Sequence, residues 1–148
     1  MVRELMRAVV CYHSYSGNTE EVAEIIRKSL VSAEFSVDTH RVGTSSVPSM
    51  QSYDLIFVGT FTWGQGQTPE EVLDFVYEIG YKPKNVAVFG TGDTQFGGDV
   101  LFCKAAEKLH KFYESEYPLL KIEQIPRGHQ KPIVQTWVKN IIKSQKEK

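Results

Sequence analysis

The chain has 148 residues, of which 41% are hydrophobic and 11% aromatic, and such a length and composition suit one domain with a buried core. Seventeen basic and eighteen acidic side chains give a net charge of −1, which argues against a general binder of nucleic acid or anionic membranes. The balance conceals an asymmetry: residues 1–78 carry 5 basic and 11 acidic residues (5 − 11 = −6), and residues 79–148 carry 12 and 7 (12 − 7 = +5). We therefore expect one domain, residues 1–148, with an acidic and a basic half.

The start of the chain, MVRELMR, lacks the long apolar stretch of a secretory signal, and no later run reaches transmembrane length. We therefore expect a cytoplasmic protein. Cys11 and Cys103 lie in apolar patterns without the spacing of a metal or redox motif, so we interpret both as buried thiols.

Five runs of the sequence predict strands. Residues 8–12, 55–59 and 86–90 are almost continuously apolar, which is typical of parallel strands covered by helices on both faces. Residues 35–40 and 120–125 mix apolar and polar side chains, which indicates strands at the margins of the sheet.

Apolar residues at helical spacing predict four helices between and after these strands. For the second helix, the sequence predicts an N-cap at Thr68 with Pro69 in the first helical position. The apolar positions are Val22, Ile25, Ile26 and Leu30, then Val72, Phe75, Val76 and Ile79, then Phe102, Ala105, Ala106, Leu109 and Phe112, and finally Val134, Trp137, Val138, Ile141 and Ile142.

The alternation of strands and helices predicts an α/β fold, a doubly wound five-stranded parallel sheet with helices on both faces. Placing the second and fifth strands at the margins gives the order 2-1-3-4-5. Ligands of such sheets bind outside the carboxyl ends of the strands, at the switch between the first and third strands. The loops after strands one, three and four therefore form the candidate site.

The first of these loops, residues 13–19 (HSYSGNT), has the composition of a phosphate cradle. Backbone N–H groups at a helix start carry partial positive charge, and the side chains of this loop add further donors. No lysine follows the glycine and no GxGxxG pattern is present, so a Walker-type or dinucleotide site fits poorly. The alternative is that Ser16 or Asn18 merely caps the helix. The added donors are Ser14, Ser16, Asn18 and Thr19.

The second loop, residues 60–67 (TFTWGQGQ), places Trp63 between small residues where the ligand crevice should open. Flanking glycines would let the indole and the backbone approach a planar ring, so we favour a stacking role. The alternative is a tryptophan folded back on the protein.

The third loop, residues 91–99 (TGDTQFGGD), is also rich in glycine and contains one aromatic residue, Phe96. Asp93 could accept a hydrogen bond from a ring N–H group, whereas Asp99 is better explained as a helix cap. Two aromatic loops beside a phosphate loop predict a planar heterocycle joined to a phosphate.

Other activities of this fold class lack the residues that they need. A phosphoryl-accepting receiver requires acidic residues after the first and third strands, and an esterase requires a GxSxG turn. The four histidines show no metal-ligand spacing, so we expect no metal site, although His13 lies close enough to the first loop to influence it.

The three loops together resemble those of the short-chain flavodoxins, and the resemblance extends along nearly the whole chain. It implies a flavodoxin-like fold, FMN as the cofactor, a phosphate held by the first loop, and an isoalloxazine ring packed between Trp63 and Phe96. The implied cofactor-binding residues are Ser14, Tyr15, Ser16, Gly17, Asn18, Thr19, Thr60, Phe61, Thr62, Trp63, Gly64, Thr91, Gly92, Asp93, Phe96 and Gly97.

The resemblance also implies a function, that of a low-potential carrier shuttling single electrons between a reductase and redox enzymes without turning over a substrate. The implied partners are a flavodoxin reductase and redox acceptor proteins that dock transiently near the flavin of a monomer, where acidic residues favour a basic surface. The peptide carbonyl of Gly64 would turn to accept a hydrogen bond from N5 of the reduced flavin.

Two positions depart from the usual pattern, with Gln65 in place of an acidic residue and Phe96 in place of a tyrosine. Residues 96–99 also resemble the third loop of NrdI-type proteins, which activate the dimanganese subunit of class Ib ribonucleotide reductase. That activator, with a ribonucleotide reductase subunit as its partner, is the alternative interpretation, although Trp63 argues against it. A third alternative is an interaction module of the same fold without a flavin.

Overall fold

The computed structural model describes residues 6–14, 18–44, 46–61, 68–92, 103–123 and 130–147, which contain five strands and four helices. The strands are β1 (Arg7–Tyr12), β2 (Ser36–Arg41), β3 (Leu55–Phe61), β4 (Val86–Gly92) and β5 (Leu120–Glu123). The helices are α1 (Asn18–Ser32), α2 (Glu70–Ile79), α3 (Lys104–Tyr113) and α4 (Gln130–Lys146), and Met50–Ser52 forms a short 3₁₀ turn.

The strands form one parallel sheet in the order β2-β1-β3-β4-β5, which confirms the predicted fold class and strand order. The three apolar strands lie in the middle of the sheet, where helices cover both faces. The two strands of mixed composition lie at its edges, where polar side chains reach the surface.

Each face of the sheet packs against its own pair of helices. On one face α1 and α4 enclose a core with Trp137, whose ring makes T-shaped contacts with Phe57 and Phe89 and whose indole N–H donates to the carbonyl of Pro118 at 2.7 Å. On the other face α2 and α3 contribute residues such as Val72 to the second core.

Two details of the predicted helices are wrong. The N-cap of α2 is Pro69 rather than Thr68, and no described side chain caps this helix, because proline has no side-chain oxygen to accept from the first N–H groups. On α3, Tyr113 rather than Phe112 completes the buried stripe. Phe112 is 41% exposed and lies under the ammonium group of Lys82, whose Nζ is 4.4 Å from the ring centre.

Both cysteines are buried free thiols, as the sequence predicts. Burial raises the pKa of Cys103 to about 12 and that of Cys11 further above its ordinary value. Within the described ranges, no helix has the length and apolar character needed to cross a membrane. The cytoplasmic location stays a prediction.

Candidate functional site

The carboxyl ends of β3 and β4 extend further than the sequence predicts. Thr60 pairs with Gly90 and Phe61 with Thr91, so these residues belong to the strands rather than to the loops that follow. Gly92 pairs with a residue of β5 in the same way. The extension matters because ladder pairing fixes their positions at the edge where a ligand of this fold binds.

Buried hydroxyl groups concentrate at this edge. Five polar side chains are buried within the described part of the chain, and four of them lie here, at the end of a strand or the start of α1. The hydroxyls of Thr19 and Thr91 are 2.8 Å apart, and the hydroxyl of Thr60 donates to the carbonyl of Phe61 at 2.8 Å. The four residues are Ser14, Thr19, Thr60 and Thr91.

The start of α1 faces the same edge. Asn18 is the first described residue of this helix, and the hydroxyl of Ser14 accepts a hydrogen bond from the backbone N–H of Glu20 at 3.4 Å. Ser14 therefore satisfies one of the first N–H groups of the helix, a role that the sequence had suggested for Ser16 or Asn18. The first turn of this 15-residue helix presents its positive dipole end to the edge.

Arg41 belongs to this site, although no sequence motif identifies it. Its guanidinium, at the end of the edge strand β2, donates from Nη2 to the carbonyl of Ser14 at 3.2 Å and from Nη1 to Oε2 of Glu20 at 3.2 Å. The carboxyl edge of the sheet therefore carries a cation in addition to the loop donors that the sequence predicts. The only signal was the position of Arg41 directly after a predicted edge strand, residues 35–40, which the predicted strand order places beside the first strand.

His13 links the first loop to α2. Its Nε2 lies 3.3 Å from Oε2 of Glu71, and its ring stacks on Phe61 with centroids 5.1 Å apart and 27° between planes. Its backbone N–H donates to the carbonyl of Gly59 at 3.0 Å. In the residue before His13, burial and the carboxylate of Glu20 raise the pKa of the Tyr12 hydroxyl. This histidine therefore lies at the switch between β1 and β3.

The chemistry of this donor set fits a phosphate monoester. Small hydroxyls, the dipole end of a long helix and an arginine are the groups that proteins use to bind phosphate, and Arg41 offsets the charge of Glu20 beside them. Nine of the predicted site residues lie outside the described residues, so their roles stay predictions. These are Tyr15, Ser16, Gly17, Thr62, Trp63, Gly64, Asp93, Phe96 and Gly97.

Comparison with known proteins points to one family. A family model described as Flavodoxin matches residues 10–115. Probable flavodoxin 2 of Bacillus subtilis (strain 168) is 34% identical over 135 residues, which cover 85% of this chain and 87% of that protein. Probable flavodoxin 1 of the same strain is 36% identical over 104 residues, covering 68% and 64%. The crystal structure of oxidised Flavodoxin 2 from Bacillus cereus superposes with a TM-score of 0.81 at 29% identity, covering 93% of this chain and 99% of that one.

Proposed function

Because the chain belongs to the flavodoxin family, we propose that the carboxyl edge of its sheet binds FMN, with the phosphate at the start of α1. Flavodoxins bind FMN and transfer electrons, and this chain is an FMN-binding electron-transfer protein. Bound FMN supplies a ring system that accepts and releases electrons. The chain itself supplies binding, orientation and exclusion of water.

The concentration of buried hydroxyls at one edge is the observation that carries this assignment. A buried hydroxyl is costly unless it is hydrogen bonded, so a fold keeps such groups together where a polar ligand or a neighbouring residue uses them. We assign the phosphate to Ser14, Asn18, Thr19 and Thr60, with the helix dipole behind them. The hydrogen bond between Thr19 and Thr91 holds the helix start against β4.

The ring is assigned to the loops after β3 and β4 on the strength of their motifs. Phe61 and Gly92, at the ends of these strands, set where the two loops begin. Trp63 and Phe96 are the proposed stacking residues, and Gly64 the proposed partner of the flavin N5. The remaining residues assigned to FMN are Tyr15, Ser16, Gly17, Thr62, Thr91, Asp93 and Gly97.

A surface on α2 is the proposed docking site for redox partners, a flavodoxin reductase and acceptor proteins. Leu73 is 54% and Tyr77 is 88% exposed, and the other exposed positions of this helix are all acidic. An apolar centre with an acidic rim suits a partner with a basic surface and a brief, charge-steered encounter. The acidic positions are Glu70, Glu71, Asp74 and Glu78.

We further propose that residues 1–148 form one domain and that the protein acts as a monomer. The one-domain proposal is supported by the five strands sharing a single sheet. The ribonucleotide reductase activator stays the alternative prediction, and residues 96–99, on which it rests, lie outside the described part of the chain.

Titration of the apoprotein with FMN and riboflavin tests the phosphate assignment, because the two ligands differ only in the phosphate. We expect one FMN per chain and weaker binding of riboflavin. Ser14→Ala and Thr60→Val should weaken FMN more than riboflavin, whereas the control Thr136→Val, at an exposed position of α4, should change neither. Equal affinities for the two ligands in the wild-type protein would overturn the assignment.

A further inference from the structure

We infer that Arg41 is a positioning residue for the phosphate of FMN: it joins the two ends of the phosphate loop and neutralises a carboxylate beside it. This inference rests on the phosphate assignment proposed above. Arg41 comes from the edge strand β2 and from none of the three loops that the sequence motifs single out.

The contacts of Arg41 connect residues on both sides of the loop. Ser14, whose carbonyl accepts from Nη2, lies near the start of the loop, and Glu20, whose carboxylate accepts from Nη1, lies just after it in the first turn of α1. A guanidinium can make both hydrogen bonds at once because its donors form a rigid, planar fork. Arg41 therefore fixes the distance between the two ends of the loop.

The backbone of Arg41 is itself anchored. It pairs with Tyr12 at the end of the β1–β2 ladder, and the next residue, Val42, donates from its N–H group to the carbonyl of Tyr12 at 2.8 Å. The carbonyl of Arg41 accepts a hydrogen bond from the hydroxyl of Thr44 at 2.6 Å. The backbone from which the guanidinium extends is therefore held in place, although the side chain of Arg41 is 46% exposed.

The charge of Arg41 has a second consequence. Glu20 and Glu21 in the first turn of α1 favour the helix because they face its positive dipole end, but the same carboxylates repel a phosphate bound there. Arg41 pairs with Glu20 and so reduces the share of this repulsion that comes from Glu20. Without Arg41, the loop would lose the hydrogen bond to the carbonyl of Ser14, and the phosphate would face the unpaired carboxylate of Glu20.

The test compares FMN and riboflavin affinities of purified apoprotein variants at low ionic strength. Arg41→Ala should weaken FMN about threefold to fivefold, the typical loss for one partly exposed charge pair, and riboflavin by less than about twofold. The matched control is Arg27→Ala, because Arg27 also pairs with a carboxylate of α1, Glu24, three residues away. This control should leave both affinities unchanged.

Two further variants separate charge from geometry. Glu20→Gln in the Arg41→Ala background should restore part of the FMN affinity, because the unpaired carboxylate is removed. Arg41→Lys keeps the charge without the planar fork and should give an intermediate affinity. The difference between wild type and Arg41→Ala should shrink at high salt, as expected for a half-exposed charge.

A loss shared equally by FMN and riboflavin, or equal losses in Arg41→Ala and Arg27→Ala, would overturn the inference. An unfolding midpoint in urea, measured for each apoprotein, checks folding, and Arg41→Lys supplies the comparison if Arg41→Ala does not fold. Failure of the phosphate assignment is distinguishable, because the wild-type protein would then bind FMN no better than riboflavin.

Discussion

The hydroxyl oxygens of Thr19 and Thr91 lie 2.8 Å apart in the interior, although the two residues are 72 positions apart in the chain. Their hydrogen bond ties the first turn of α1 to the carboxyl end of β4, so it connects the proposed phosphate end of the site with the strand that leads into the third loop. Both side chains are almost completely buried. The arrangement of the site therefore depends on a contact made entirely inside the protein.

Thr91→Val should lower the free energy of unfolding by about 1–3 kcal/mol, because it leaves the buried hydroxyl of Thr19 without this partner. The double variant Thr19→Val/Thr91→Val should lose less than the sum of the two single variants. Urea unfolding of the four apoproteins measures the coupling. Strict additivity would mean that the hydrogen bond contributes nothing.

Gly59→Ala should destabilise the protein severely. A Cβ atom at Gly59 would lie 2.1 Å from the ring of Phe89, its neighbour on β4, so the ring must move within a closely packed core. Overpacking of this kind costs about 1–3 kcal/mol or more. Thermal or urea unfolding should show the loss, and Phe89→Leu combined with Gly59→Ala should recover part of it. A double variant less stable than Gly59→Ala alone would contradict the steric explanation.

The fold was predictable from the sequence because the pattern of apolar residues reflects which of them are buried. Continuous apolar runs mark the central strands, and the mixed runs mark the edges, so the strand order follows from composition. The errors occur where one side chain decides between neighbours. Phe112 and Tyr113 lie three and four positions after Leu109, so either of them fits the buried stripe of the helix. Only packing against the sheet selects Tyr113 over Phe112.

Neither cysteine should react with iodoacetamide in the native protein at mildly alkaline pH. The attacking species is the thiolate, and burial both raises the pKa of Cys103 to about 12 and blocks access to the sulfur. Cys11 is completely buried in β1. Mass spectrometry should show two labels after unfolding in urea and none before. Labelling of the folded protein would show that at least one thiol is accessible.

Acidification should destabilise the protein partly through His40. Burial lowers the pKa of this residue below its ordinary 6.5, so the unfolded chain binds a proton that the folded chain resists. Stability is therefore lost as the pH falls below about 6.5, and His40→Gln should show a smaller loss between about pH 7 and pH 5. The ring of Phe75 stacks on the imidazole of His40, with the two ring centroids 6.0 Å apart.

Glu78 gives an independent check of this explanation. Its carboxylate opposes the effect of burial on His40, so Glu78→Gln should lower the pKa of His40 further and enlarge the loss of stability in acid. Urea unfolding at a series of pH values measures all three proteins. A pH dependence that is identical in wild type and His40→Gln would rule His40 out as the cause.

Electron transfer from a flavodoxin reductase should depend on the exposed face of α2. Tyr77→Ala removes an apolar side chain that is 88% exposed, and Asp74→Lys reverses a charge beside it. Each should slow the reaction roughly threefold to tenfold at low salt without changing FMN affinity. The controls are Val31→Ala on α1 and Glu147→Lys after α4. Stopped-flow reduction rates that are equal in all five proteins would contradict this docking surface.

The site was harder to predict than the fold, for a physical reason. The motif of the first loop identifies Ser14 and Thr19, but their hydroxyls also bond to Glu20 and Thr91 within the protein, which composition does not reveal. Arg41 reaches Ser14 across 27 residues of chain, and only the pairing of β1 with β2 brings them together. Contacts made through topology are absent from local sequence patterns.

The most direct test of the central claim is an NMR titration of the ¹⁵N-labelled apoprotein with FMN. If the carboxyl edge of the sheet binds FMN, the largest amide shifts should fall at residues such as Asn18, Thr60 and Gly92. Those at the opposite edge, such as Asp54 and Asn85, should stay unchanged. Shifts concentrated at the opposite edge, or no shifts at stoichiometric FMN, would contradict the account.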